Sequence, residues 1–246
     1  MKNTEDDIVF VTEHRQTPCR FDYFQKRIRH DGYTPIAHPA VATGIQGASG
    51  GVAILARHRQ ERAVKVEPLD PGIYTSVGFT AVESSRVCGA ILHTDRLRVL
   101  LIVVYLYHTE GLSERNQALL ASIELLSRTV GLPTMIGGDL NFAREEIYDS
   151  LFFRSLNLCF LSSPEVTCEE GKGSCIDHLL APVGFLNTRK YASVTPEGFR
   201  PHLVSRVYLS HRLRHASLAP HPRAPAAILP PVIFEQIAKI PASSAL

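Results

Sequence analysis

The chain has 246 residues, enough for one large domain or two small ones. Apolar residues make up 45% and charged residues 20%, an ordinary globular balance that excludes disorder throughout. Lys plus Arg (26) exceed Asp plus Glu (24) by two, so no global basic field marks nucleic acid, and an anionic partner must be held by local groups. The longest apolar run, Val99 to Leu106, is too short to cross a bilayer, which takes about 20 residues. Glu5, Asp6 and Asp7 stand where a secretory signal carries basic and then apolar residues, so an intracellular protein is expected. Five cysteines without a Cys-x-x-Cys pair read as reduced and structural, and no His/Cys cluster of zinc spacing accompanies Cys168 and Cys175.

In chain order, Ile8 to Val11 reads as a short buried strand with Glu13 just past its end. Phe21, Phe24 and Ile28 recur at helical spacing, which predicts a helix over Cys19 to His30 closed by Asp31-Gly32. The glycines of Gly44 to Gly51 predict a loop, and the run that follows to Arg57 predicts a buried strand. Further strands are expected within Ile73 to Val82 and over Ile91 to His93, and the longest over Arg98 to Tyr107. Ser113 caps a predicted helix whose face is Leu119, Leu120, Ile123, Leu126 and Val130, stopped by Gly131 and Pro133. Strands return at Thr134 to Gly138, Ile176 to Ala181 and Arg200 to Leu209. Alternating strands and helices of this kind indicate mixed α/β layers. Beyond about residue 215 the chain turns Ala- and Pro-rich, so a domain over 1–215 with a tail or linker over 216–246 is expected, with room for a short helix at Val232 to Ile240.

The chemistry concentrates at strand ends. Asp139 and Asn141 lie two apart after an apolar strand and can face one pocket. A carboxylate beside an amide suits a hard cation or a phosphate, although Gly, Asp and Asn are also ordinary turn residues. Glu13 is a second strand-end acid of the kind an oxygen-ligated Mg²⁺ requires. Asp177 sits among core residues and needs a partner, for which His202 is a candidate, since a carboxylate on one ring nitrogen raises the basicity of the other. Tyr105 could present a phenol to phosphate.

Taken in order, these pieces resemble the endonuclease/exonuclease/phosphatase superfamily over about Asp6 to Leu209. Met135-Ile-Gly-Gly-Asp-Leu-Asn-Phe-Ala143 is the most specific block, and Ser49-Gly-Gly-Val-Ala-Ile-Leu-Ala-Arg57 resembles the apurinic/apyrimidinic endonuclease and LINE-type retroelement branches. The resemblance implies a four-layer α/β sandwich, two mixed sheets face to face with helices outside. It implies Glu13 as a metal residue, Tyr105 as a phosphate contact, Asp139 positioning the attacking water, Asn141 orienting phosphate, and Asp177 paired with the terminal His202. The implied reaction is Mg²⁺- or Mn²⁺-assisted attack of water on a phosphodiester, in DNA ahead of RNA, by a retroelement-derived, reverse-transcriptase-associated endonuclease located in the nucleus. Three departures accompany it. The family's first strand, with a metal-holding Asn, has no counterpart before Glu13; Pro201 replaces the acid before His202; and Tyr107-His108 replaces Pro-Asn, removing a polar orienter. The missing strand predicts an exposed sheet edge, and the losses leave open a degenerate, weakly nucleic-acid-binding remnant of the fold.

Overall fold

The computed structural model describes residues 6–44, 47–57, 65–94, 97–196 and 202–209. Pro201, the tail over 216–246 and the helix expected at Val232 to Ile240 lie outside the described residues. Strand β1 (Ile8–Val11) and helix α1 (Pro18–His30) fall where the apolar pattern predicts them. Strand β2 (Tyr33–His38) follows, a run whose single proline masked it in the sequence. Within the glycine-rich stretch predicted as a loop, Gly47–Ser49 instead forms β4, which pairs with β3 (Val41–Thr43) in a small hairpin. Strand β5 (Val52–Arg57) and the exposed-edged β6 (Lys65–Pro68) come next.

The strands expected within Ile73 to Val82 are not formed. That segment is two short helices, α2 (Pro71–Ser76) and α3 (Ala81–Ser84). Local capping overrides the β-branched composition: Asp70 Oδ1 accepts from the Gly72 amide at 3.0 Å, with Pro71 starting the helix. Thr80 and Glu83 form a reciprocal capping box for the second helix. Strands β7 (Val87–His93) and β8 (Arg98–Tyr105) then pair antiparallel. Helix α4 (Glu114–Val130) has Ser113 accepting the Asn116 amide at its start and Gly131 left-handed at its end, as its sequence predicts. Strand β9 (Thr134–Asp139) runs parallel to β8. The short helices α5 (Arg144–Tyr148) and α6 (Leu151–Ser155), strands β10 (Leu158–Phe160) and β11 (Asp177–Pro182), a 3-10 turn (Val183–Thr188), and strands β12 (Arg189–Thr195) and β13 (Val204–Leu209) complete the order. The last strand starts at Val204, so His202 stands before it and not on it.

Alternation along the strands builds four layers. The six-stranded sheet has the order β10-β11-β9-β8-β7-β6, and a three-stranded sheet has the order β1-β5-β2. On β8, Leu100, Ile102 and Val104 face helix α4, while Val99, Leu101, Val103 and Tyr105 face the second sheet. On β5, Val52 and Ile54 join that same inner core, and Ala53 and Leu55 pack with Ile28 of α1. Period-two alternation with both faces apolar is the signature of strands covered on both sides. The layers therefore run α1, the β1-β5-β2 sheet, the six-stranded sheet, and the α4 side. This is the four-layer α/β sandwich.

Among the described residues β1 pairs only with β5, and β12-β13 form a separate ladder. Yet Ile8 and Phe10 of β1 and Val207 and Leu209 of β13 border one inner core. The Arg206 guanidinium reaches Asp6 at 3.2 Å and ties the two ladders at one end. The five cysteines are free, as their odd number and spacing predict.

Candidate active site

The site forms where three strands end in register. Tyr105 of β8 is the cross-strand partner of Asp139 of β9, and Asp139 is the partner of Asp177 of β11. Directly opposed residues bring their Cβ atoms within about 5.5 Å, so a phenol and two carboxylates stand in one row across the sheet. Gly137 and Gly138 make the row reachable. A Cβ at Gly137 would meet the Phe10 ring at 2.6 Å, and at Gly138, with φ +142°, it would collide with the Val104 carbonyl. Two glycines therefore let β1 press onto β9, which brings the residues after β1 to the same end.

Asp139 is 4% exposed, and its Oδ1 accepts the backbone N–H of Asn141 at 2.9 Å. Asn141 takes a left-handed conformation, φ +54°, which asparagine tolerates. Burial, with Asp177 opposite, pushes the Asp139 carboxyl up to about 7. His202 closes the row: Nδ1 lies 3.0 Å from Asp177 Oδ2 and Nε2 lies 3.9 Å from Asp139 Oδ2. The hydrogen bond to Asp177 raises the imidazole to about 8, so His202 is largely imidazolium at neutral pH. Asp139, Asp177 and His202 each offer a ligand atom, all within 4.8 Å of one another.

A buried threonine absent from the sequence reading assembles this corner. Thr167 Oγ1 accepts the amides of Ile176 and Asp177 at 3.1 and 3.0 Å, and its carbonyl accepts the Leu203 amide. One residue thus fixes the chain at Asp177 and just after His202. The neighbour His178 points to the other face, with Nε2 3.0 Å from the Phe142 carbonyl, and burial lowers its pKa. It is a neutral core histidine.

Glu13 reaches the same end of the sheet, and its charge acts on Asp139, His202 and Tyr105. Its Oε1 holds the Arg15 guanidinium, with Nη2 at 2.7 Å and Nε at 3.2 Å. Both residues have positive φ, +52° and +55°, backbone strain of a kind that clusters at functional sites. Between them, His14 is anchored to the His38 carbonyl at 3.1 Å and stacks on Phe24. Burial, followed by the Glu13 and Asp139 carboxylates, pushes the Tyr105 phenol up to about 12, so it remains a donor. The Arg86 guanidinium packs 4.7 Å from the Tyr105 ring centroid. At the mouth, His108 Nδ1 lies 3.0 Å from Asn141 Oδ1. The Tyr107-His108 pair thus sets a ring nitrogen beside the Asn141 side chain.

All six sequence-predicted residues meet at this end of the sheets. Arg15, Arg86, His108 and Thr167 escaped sequence reasoning. Arg15 gave a signal as a cation two residues from a strand-end acid, and His108 gave one as a residue of the Tyr107-His108 departure.

No family model matches the sequence, and no curated protein matches it. Solved structures do match. The endonuclease domain of TRAS1, a telomere-specific non-LTR retrotransposon, is similar at 15% identity and TM-score 0.52, over 81% of this chain and 97% of its own. The AP endonuclease LMAP from Leishmania major gives 14% identity and TM-score 0.62, over 84% and 79%. The 3′ phosphatase NExo from Neisseria, bound to a product DNA hairpin, gives 18% identity and TM-score 0.54, over 83% and 89%. These neighbours are members of the endonuclease/exonuclease/phosphatase superfamily, and the likeness is one of fold.

Proposed function

Starting from a chain with the endonuclease/exonuclease/phosphatase fold, we propose that it is a divalent-metal-dependent phosphodiester hydrolase that cuts DNA, a retroelement-type endonuclease acting in the nucleus. The observation that carries this reading is His202 set between Asp177 at 3.0 Å and Asp139 at 3.9 Å, at the ends of adjacent strands. The Ser49 to Arg57 block and the TRAS1 likeness support the retroelement type.

Each residue has work that its environment suits. Asp139, with its pKa near neutrality, orients the attacking water and takes its proton as the oxygen–phosphorus bond forms and the bond to the leaving oxygen breaks. The His202 imidazolium, held by Asp177, binds a non-bridging oxygen where charge develops. Tyr105 donates its phenolic hydrogen to phosphate, and Asn141 supplies the Nδ2 hydrogen not committed to the Leu106 carbonyl. The donors fit a hard cation: the carboxylates of Asp139 and Asp177 oppose each other across adjacent strands, Asp139 buried, and Glu13 adds its charge from just past β1. Glu13 would hold Mg²⁺ or Mn²⁺ there, and the ion would supply charge neutralisation at the phosphate.

One observation favours a second reading, a fold kept without turnover that binds nucleic acid weakly. Arg15 already neutralises Glu13. The test is nicking of plasmid and abasic-site DNA, with an RNA duplex in parallel, in Mg²⁺ and in EDTA. Metal-dependent nicking abolished by Asp139→Ala supports the enzyme. Nicking absent, or unchanged in the variant, leaves the second reading.

A further inference from the structure

Phe24 and Ile28 turn one face of α1 onto β5, and Phe21 stacks on Phe24. At about 3.6 residues per turn the opposite face carries Tyr23 and Lys26, flanked on one side by Arg20 and Arg27, two turns and about 10 Å apart. All four are exposed. Asp22, the one acid within the helix, lies on the other flank beside Arg29. A chain of net charge +2 thus gathers Arg20, Lys26, Arg27 and Arg29 on one helix.

Helix stability explains part of this pattern. Arg27, Arg29 and His30 in the last turn complement the macrodipole, and Asp31 lies 3.8 Å from both Arg27 and His30. Arg20 has the opposite setting: it stands in a first turn with no acid, where a cation opposes the dipole. Arg20 and Lys26 have no ion-pair partner among the described residues, and Tyr23 lies 72% exposed between them. Cations interleaved with an open aromatic ring are what nucleic-acid surfaces combine. The position agrees with that chemistry. Strand β1 ends at Val11, Glu13 follows at the site, and α1 opens at Pro18. Helical side chains lean toward the helix N-terminus, so those of the outward face lean toward the end where the site lies. One DNA strand carries a charge about every 3.4 Å of axis, so a stripe of about 10 Å meets two or three phosphates.

We infer that the outward face of α1, with Arg20, Tyr23, Lys26 and Arg27, is a second nucleic-acid contact that holds the backbone of duplex DNA flanking the cut. The inference rests on the reading that this chain acts on DNA, and its test measures binding apart from cutting. A labelled duplex of about 30 base pairs is titrated with the full chain in EDTA over a series of KCl concentrations, and the slope of log K against log salt is read by anisotropy. Arg20→Gln combined with Lys26→Gln and Arg27→Gln should reduce that slope by about two to three, and Arg20→Gln alone by about one. Glutamine is a good helix former, so thermal melting should show the fold retained. Removing the same charge elsewhere, at Lys65, Arg98 and Arg154, should leave the slope in place, and Tyr23→Ala should weaken binding without changing it. An unchanged slope in the triple variant, or an equal fall in the control, overturns the inference. So does a triple variant that loses affinity for phosphatidylserine vesicles while keeping its DNA slope, since the face would then serve a membrane. A native chain that binds no DNA also overturns it. The nicking assay decides the phosphodiesterase reading independently: nicking with an unchanged slope leaves that reading standing alone, and an α1-dependent slope without nicking leaves a binding surface without turnover.

Discussion

His202 owes its charge to Asp177. The carboxylate at 3.0 Å raises the imidazole to about 8, with burial opposing. Asp177→Asn should bring it back toward 6.5, read by NMR titration of the ring. An unchanged midpoint would mean that another group sets it. Thr167 tests positioning without touching the reacting atoms. Thr167→Val leaves two amides without their acceptor, at a cost of about 1–3 kcal/mol, and because those amides are of Ile176 and of Asp177 itself, activity should fall more than thermal stability. Asp139, Asn141 and Asp177 were legible because each interrupts or follows an apolar strand, where a polar residue needs a reason. Arg15, His108 and Thr167 were not. They lie on loops whose paths depend on left-handed residues at 13 and 15, on Asn141 and on a bridge from Cys168 to His202, none of which has a periodic signature.

At the scale of elements, continuous apolar runs gave β1, β5, β8 and β9 and helical spacing gave α4 nearly residue by residue, because both strand faces and one helix face are buried in layers. It failed at α2 and α3, where four-residue capping signals outweigh Ile, Tyr, Thr and Val in a stretch too short for either period to show. Gly138 joins fold to site. Gly138→Ala forces a Cβ against the Val104 carbonyl at a φ that suits only glycine. Strain of about 1–3 kcal/mol is expected, so Tm should drop by roughly 2–10 °C at this chain length, measured calorimetrically. The Asp6–Arg206 pair, 21% and 13% exposed, spans two ladders that share a core but are not paired in one sheet among the described residues. Asp6→Asn should lower Tm by a few degrees, about 1–2 kcal/mol. An unchanged Tm would show that the ladders hold together through their apolar faces alone.

For the whole molecule, the site is costly to keep. Asp139 and His202 both bind protons more tightly folded than unfolded. Their contributions to stability are complete below the unfolded values of 3.8 and 6.5, and are lost as pH rises through about 7 and about 8. Stability should therefore decline from pH 4 to 9, and Asp139→Asn, which removes the buried charge, should flatten the decline and raise Tm at pH 8 by roughly 5 °C while abolishing hydrolysis. Activity has the opposite dependence on its acid limb, since the water needs an ionised Asp139 and the phosphate needs a protonated His202. The coupled pair should give a bell with its optimum between about pH 7 and 8. The most direct measurement is the pH dependence of Mg²⁺-dependent nicking by the native chain and by Asp177→Asn. The predicted result is a bell whose alkaline limb moves to lower pH in the variant. Nicking that is absent, or a native alkaline limb that Asp177→Asn leaves in place, would contradict it.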